Sequence, residues 1–301
     1  MTTPTGILVI DKPTGLTSHD VVSRVRKWFG TKKVGHAGTL DPMATGVLVL
    51  GLGRGTKLLT YLVGLDKTYT ATIRLGSSTP TDDADSEPDV FAAEDELREV
   101  TDAQIRSGID ALTGEIQQVP SSVSAIKVDG RRSYARVRAG EQVELKPRRV
   151  TIAEFTAGEI RRGAADIDVD VTVTCSSGTY VRALARDLGR SLGIQGHLTA
   201  LRRLRVGPFD IGRSHRLAED FAQDERPELI TLAAAAAEVM PVVALDAAQR
   251  QAVMQGRFIE PEAVPPAPGG FWAGVSEDEL IAVLERRESR LKAATGIAVN
   301  A

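Results

Sequence analysis

The segment VGHAGTLDPMATGVLVLGLG, residues 34–53, concentrates the residue types that could do chemistry. One carboxylate, Asp41, stands there among small residues and just before an apolar run. Gly35, Gly38 and Gly46 allow backbone angles and a close ligand approach that other residues resist. Pro42 pushes the backbone of Asp41 out of the helical region. A lone acid in such a loop is placed to meet a substrate as nucleophile or general base. Asp-Pro is also common turn chemistry, so an isolated pair reads as a turn. Two other chemistries fail on spacing. GLGRGTK (51–57) lacks the Gly-Lys-Ser/Thr order of a phosphate loop, because Thr56 precedes Lys57. A glycosidase generally needs two facing carboxylates, and the rest of residues 34–53 holds none.

Strands and helices must hold this loop. Ile7 to Ile10 reads as a buried strand entering a loop at Asp11-Lys12-Pro13. Thr17 or Ser18 caps a helix through about Phe29, with Val21, Val22, Val25, Trp28 and Phe29 on one face and Gly30 at its end. Val47 to Leu52 reads as a second buried strand, and Thr56 as the opening of a short helix. KTYTATIRL (67–75) and IDVDVTV (167–173) alternate, as strands with one wet face do. Pro80 to Asp95 reads as an exposed acidic loop, and Thr101 or Asp102 as the cap of a helix to Leu112. Thr179 to Leu192 reads as a helix, and TLAAAAAE (231–238) as a helical connector. The mixture has no regular βαβ rhythm, so α+β is the expected class. After Pro241, proline and glycine cluster in residues 260–270 between strand-like runs. That shift predicts a main domain of about 1–237 and a small β-rich domain of 241–301.

The chain has 301 residues, enough for a core without staples. A single cysteine, Cys175, excludes an internal disulfide and a thiolate-rich zinc site. His19, His36, His197 and His215 have no metal-like spacing. The N-terminus has no secretory pattern, and no run approaches the ~20 apolar residues of a membrane span. A cytoplasmic monomer is the expectation. Net charge is −3, but it is unevenly spread. Residues 81–118 carry twelve acids and two bases, and residues 241–301 eight acids and six bases, which leaves +9 for the rest. Arg131-Arg132, Lys146 with Arg148-Arg149, and Arg202-Arg203 with Arg205 are the basic clusters there. They read as a face for a polyanion or as solvated surface.

Five segments in order resemble the TruB-type pseudouridine synthases, the tRNA uridine-55 family. Residues 34–53 are similar to the family's signature loop, whose catalytic aspartate matches Asp41. GILVIDKPTGLTSHDVV (6–22) is similar to its first motif, matching Lys12 and Pro13. DKTYTATIRLGSSTPTDDADSE (66–87) resembles the strand bearing its active-site tyrosine, here Tyr69. CSSGTYVRALARDLG (175–189) resembles its arginine motif, with Tyr180 and Arg182. LRRLRVGPF (201–209) resembles its last catalytic segment, with Leu201 or Leu204 near the base pocket. The resemblance implies the pseudouridine-synthase fold, a mixed and largely antiparallel sheet with flanking helices, followed by a PUA-like RNA-binding domain. It implies isomerisation of uridine 55 in the TΨC stem-loop of tRNA, on a flipped-out base. That reaction is redox-neutral and loses no group, so no cofactor, nucleotide or metal is expected.

The matched residues suit the roles implied. A guanidinium at Arg182 would hold Asp41 ionised and oriented. Tyr69 offers a flat face to uracil. His36 matches a histidine that contacts the loop from which the uridine leaves. Lys12, Pro13, Tyr180 and Leu201 complete the expected substrate contacts. A rival of another class is an RNA-binding or tRNA-folding module without catalysis. An Asp41→Asn protein in a refolding assay separates the two, because folding assistance would survive the substitution.

Overall fold

Lys67–Leu75 alternates strictly between buried and half-buried side chains, and it runs through the middle of the main sheet. The structure, a computed structural model, describes residues 3–121, 127–128, 131–132, 146–217, 226–260 and 262–298, with only backbone pairing described at 127–128 and 131–132. The Arg131-Arg132 side chains therefore lie outside the described residues. Across the ten-stranded sheet the order is His215–Arg216, Gly6–Lys12, Thr45–Leu52, Gly196–Val206, Lys67–Leu75, Ile167–Cys175, Arg148–Arg162 and Gly114–Gln118. Val34–His36 pairs with Thr45–Leu52, and Phe209–Asp210 with Gly196–Val206. Two pairings are parallel, Gly6–Lys12 with His215–Arg216 and Thr45–Leu52 with Gly196–Val206. The others are antiparallel, so the sheet is mixed and largely antiparallel, as expected.

Helices flank it. Ser18–Phe29 begins with a reciprocal capping box between Thr17 and Asp20 and ends at Gly30 in the left-handed region (φ 63°). Its buried stripe is the predicted one: Val21, Val22, Val25, Trp28 and Phe29. Asp102–Ala111 starts at a capping box from Thr101 to Gln104, and Val181–Ser191 packs eight buried residues toward the sheet.

Three local readings change. Thr56 does not open a helix. It lies inside a 3₁₀ turn, Gly53–Lys57, where its hydroxyl donates to Gly53 O, and the α-helix is Leu59–Leu62. An extra helix occupies Glu94–Glu99. The acidic loop from Pro80 is not simply exposed: Asp83 is 1% exposed. The Thr81 hydroxyl and the Asp85 amide donate to the Asp83 carboxylate, and the Thr79 hydroxyl donates to Asp83 O. A composition rich in acids predicted solvation, but hydroxyl and amide donors satisfy a buried carboxylate equally well.

Val242–Ala244, Phe271–Ser276, Glu279–Arg287 and Arg290–Gly296 form a separate four-stranded sheet with helix Ala247–Met254 against it. This β-rich unit shares a core with the main body. Ala235 and Ala236 of helix Leu232–Ala237 pack in one cluster with Ile7, Leu58 and Leu62 on one side and Ala273, Val283 and Ile297 on the other. Arg54 pairs with Glu279 at 3.1 Å, Lys57 Nζ donates to Gly296 O at 2.5 Å, and Tyr61 Oη lies 2.7 Å from Thr295 Oγ1. The alanine run is thus an interface helix rather than a spacer. Small side chains let two sheets approach it at once.

Candidate active site

Asp41 sits in the loop between Val34–His36 and Thr45–Leu52, and the turn reading is also true: Ala44 N donates to Asp41 O at 3.1 Å. That turn is clamped from two sides. On one side, Lys12 is fully buried, and its ammonium donates to Pro13 O, Leu16 O and Pro42 O at 2.9, 2.7 and 3.2 Å. Three N–H donors meet three carbonyls, which offsets the cost of burying the charge. Burial nonetheless pushes the Lys12 pKa down to about 8. Ser18 Oγ donates to Leu40 O and accepts from Leu40 N, at 3.0 and 2.8 Å. On the other side Arg203, 1% exposed, donates to Val47 O, Thr39 O and Gly38 O. Gly46 (φ 100°) lies so close that a Cβ there would meet Arg203 O at 2.1 Å.

The loop borders a cavity of about 260 Å³. Asp41, Tyr69, Tyr180, Arg182 and Leu201 all line it, brought together from four segments distant in sequence. Tyr69 reaches it because its strand is paired with Arg203 on one side and Val173 on the other. Tyr180 is fixed by the Gln118 amide, which accepts from its backbone N at 2.8 Å and donates to its O at 3.1 Å. That bond also sets the start of helix Val181–Ser191 and hence Arg182.

Arg182 joins two carboxylates. Its Nη2 lies 3.1 Å from Asp41 Oδ2 and its Nη1 3.1 Å from Asp83 Oδ2, while Nη1 also donates to Thr81 O at 2.8 Å. The Arg182 side chain is 6% exposed, Asp83 1% and Asp41 37%. Asp41 is therefore the accessible member of the three, and it lines the cavity. Its desolvation pushes the carboxyl above the usual aspartate value, Arg182 opposes that rise, and Asp83 adds to it. Burial likewise pushes the Tyr69 hydroxyl up. The neighbouring Arg186 bonds Asp82 and Val119 O, so the acidic segment is tied down by two arginines one turn apart on the same helix.

Not every predicted contact lines the cavity. Lys12 and Pro13 are outside its lining; Lys12 braces the Asp41 turn through Pro42 O, and Pro13 O is a second acceptor of the same ammonium. His36 is on a strand beside it, and burial lowers its imidazole pKa. Leu204 is outside the lining, leaving Leu201 as the leucine of the pocket. The basic cluster at Arg202, Arg203 and Arg205 is not an open docking face. Arg202 pairs with Asp11 at 2.8 Å, Arg205 with Asp66 at 2.8 Å, and Arg203 is internal. Lys146, Arg148 and Arg149 are exposed, with Arg149 paired to Glu115. Sequence reasoning missed Asp83, Arg203 as a loop clamp, and Lys67. Lys67 lines the cavity at 5% exposure, and burial pushes its pKa down to about 8.

Residues 26–181 match the TruB family pseudouridylate synthase N-terminal domain, and residues 182–233 match the tRNA pseudouridylate synthase B C-terminal domain. The division falls between Val181 and Arg182, so the two partners of the central ion pair come from the two matched segments. The tRNA pseudouridine synthase B of Rhodococcus jostii (strain RHA1) is 53% identical over 287 residues, covering 95% of this chain and 91% of the relative. That of Cutibacterium acnes (strain DSM 16379 / KPA171202) is 58% identical over 257 residues, covering 85% of each. A chain of a solved Cbf5-Nop10-Gar1 complex shares the fold, with a TM-score of 0.71 at 24% identity over 98% of this chain and 85% of that one. No helix among the described residues is long and apolar enough to cross a membrane. On the matched domains and these relatives, the chain belongs to the TruB family of pseudouridylate synthases and is a pseudouridine synthase.

Proposed function

We propose that this enzyme converts uridine 55 in the TΨC loop of tRNAs to pseudouridine, with Asp41 acting on a base flipped out of the RNA. One observation carries the assignment: a single carboxylate, held by a buried arginine, faces a base-sized cavity walled by Tyr69 and Leu201. The cavity volume of about 260 Å³ is near the lower bound of ligand pockets, as a single base requires. In the reaction the bond from C1′ to N1 breaks, the uracil turns, and C5 bonds to C1′. The C5 proton leaves and N1 gains one, so the product is an isomer. Asp41 can serve as nucleophile toward C1′ or toward the ring, or take the C5 proton. Tyr69 and Leu201 offset the few kcal/mol lost on unstacking.

A shallow cleft of about 670 Å³ shares Leu201 with the cavity and is edged by Thr45, Thr70, Thr72, Thr199 and Arg202. The Thr45 and Thr70 hydroxyls suit the sugar-phosphate backbone beside the reacting nucleotide, whereas those of Thr72 and Thr199 donate to Asp170 and to Thr72 O. The test is to map pseudouridine in a tRNA transcript incubated with this chain alone. Modification at uridine 55 only is expected, undiminished by EDTA on prefolded tRNA. Modification elsewhere, or none, refutes the assignment.

We assign residues 241–301 an RNA-contact role as well. The motivation is Phe258, 41% exposed, with Arg290 4.5 Å and Lys292 5.5 Å from its ring. Arg287 and Arg290 sit opposite each other across the strands, Arg287 paired with Glu285 at 2.8 Å and Arg290 4.0 Å from Glu260. Deleting the unit would strip the shared core around Ala235, so paired surface changes are the better probe. Arg290→Glu with Lys292→Glu should weaken full-length tRNA binding about ten-fold and lower the salt slope by about one to two. Turnover of a minimal TΨC stem-loop should hold. Unchanged affinity for full tRNA would remove this role.

A further inference from the structure

The rim of the cavity carries one apolar side chain turned to solvent. Val63 is 44% exposed, and among the described residues it is the exposed large hydrophobic that lines the cavity. Its backbone is fixed more firmly than a surface turn requires. Val63 O accepts from Lys67 Nζ at 2.7 Å and from Ser177 Oγ at 2.7 Å, and its N donates to Leu59 O at 3.0 Å. Lys67 Nζ also donates to Leu65 O at 2.5 Å, so one buried ammonium closes the whole turn. The two anchors belong to different walls. Lys67 is two residues from Tyr69 on the central strand, and Ser177 precedes Tyr180 and Arg182. Upstream, Tyr61 ties the same helix to Thr295 of the C-terminal sheet at 2.7 Å. Val63 is thus held in register with the reacting groups.

We propose that Val63 is a lip that covers the exposed face of the nucleobase next to the one held in the cavity, and that Lys67 and Ser177 are its positioning residues. The proposal rests on the isomerisation reading of the Asp41 cavity. When a base leaves the stack, its neighbour loses an apolar face to water. Valine has one strongly preferred side-chain rotamer and can cover that face with little entropy cost. Holding this turn accounts for an ammonium in the cavity wall: Lys67 Nζ directs its hydrogen bonds to the Val63 and Leu65 carbonyls.

The test compares the full chain and its Val63→Ser variant on a TΨC stem-loop. The same stem-loop is then made with an abasic site on the 5′ side, or on the 3′ side, of the reacting uridine. In the wild type, one of the two abasic RNAs should raise KM about five-fold. Val63→Ser should raise KM by a similar factor on intact RNA and lose nothing more on that abasic RNA. Ser177→Ala, a change at the surface, should move KM in the same direction by less. Lys67→Met should do so by more, but it removes a buried cation, so Ser177→Ala keeps the test independent of folding. Additive losses for Val63→Ser and both abasic sites would overturn the lip. So would a fall in kcat at unchanged KM, which would make Val63 a wall for the reacting base alone. No conversion of intact stem-loop by the wild type would overturn both the lip and the isomerisation reading.

Discussion

Asp41→Asn is expected to lower pseudouridine formation by more than about a thousand-fold while tRNA affinity stays within a few-fold. The substitution is nearly isosteric, so the turn that bonds Ala44 N to residue 41 O is preserved. Arg182 retains Asp83 and Thr81 O, so the buried charge stays compensated and the fold should hold. What disappears is the anion. Single-turnover conversion and filter binding on the same preparation give the two readouts. Formation at a normal rate by Asp41→Ala would sink the assignment of Asp41. The wild-type pH profile carries the same logic. The active form is the carboxylate, and burial pushes its pKa upward. Activity should therefore be present above that raised pKa and be lost as pH falls through it, with the acid limb above the usual ~3.9 of aspartate. An acid limb at or below that value would contradict the placement of Asp41 as the titrating group.

How much of this was legible in the sequence depends on how local each cause is. The Ser18–Phe29 helix was readable to within a residue, because its cap, apolar stripe and terminal glycine are all written within the segment. Asp41, Tyr69 and Arg182 were readable through long motifs. Asp83 was not, because burial is not a local property. It stands in a run of acids, and what makes it internal is Arg182, far along the chain, together with the hydroxyls of Thr79 and Thr81. The threonines flanking it were the available signal. Arg203 was misread for a related reason. Three arginines in five residues suggest a basic surface, but a strand alternates, and Leu201, Arg203 and Val206 are the buried positions there. Counting from Leu201 by twos puts Arg203 inside. The interface role of the alanine helix was illegible because no helix records how many sheets press on it.

Arg182→Lys should lose at least about a hundred-fold in rate although the charge is kept. The guanidinium serves three acceptors at once: Asp41, Asp83 and Thr81 O. An ammonium is a shorter point charge and cannot bridge two carboxylates in that geometry. Asp83, 1% exposed, would lose much of its compensation, so a fall of several °C in Tm is also expected. A rate loss alone would not separate orientation of Asp41 from general loosening, but the pH profile does. Arg182 opposes the burial that raises the Asp41 pKa, while Asp83 adds to the rise. Weakening the cation in Arg182→Lys should move the acid limb to higher pH. Removing the second anion in Asp83→Asn should move it to lower pH, although that variant also turns over more slowly because Arg182 loses an anchor. Loosened packing has no reason to shift the two profiles in opposite directions. Near-wild-type turnover of Arg182→Lys, or acid limbs that move together, would show that Arg182 does not hold Asp41 in its reactive state.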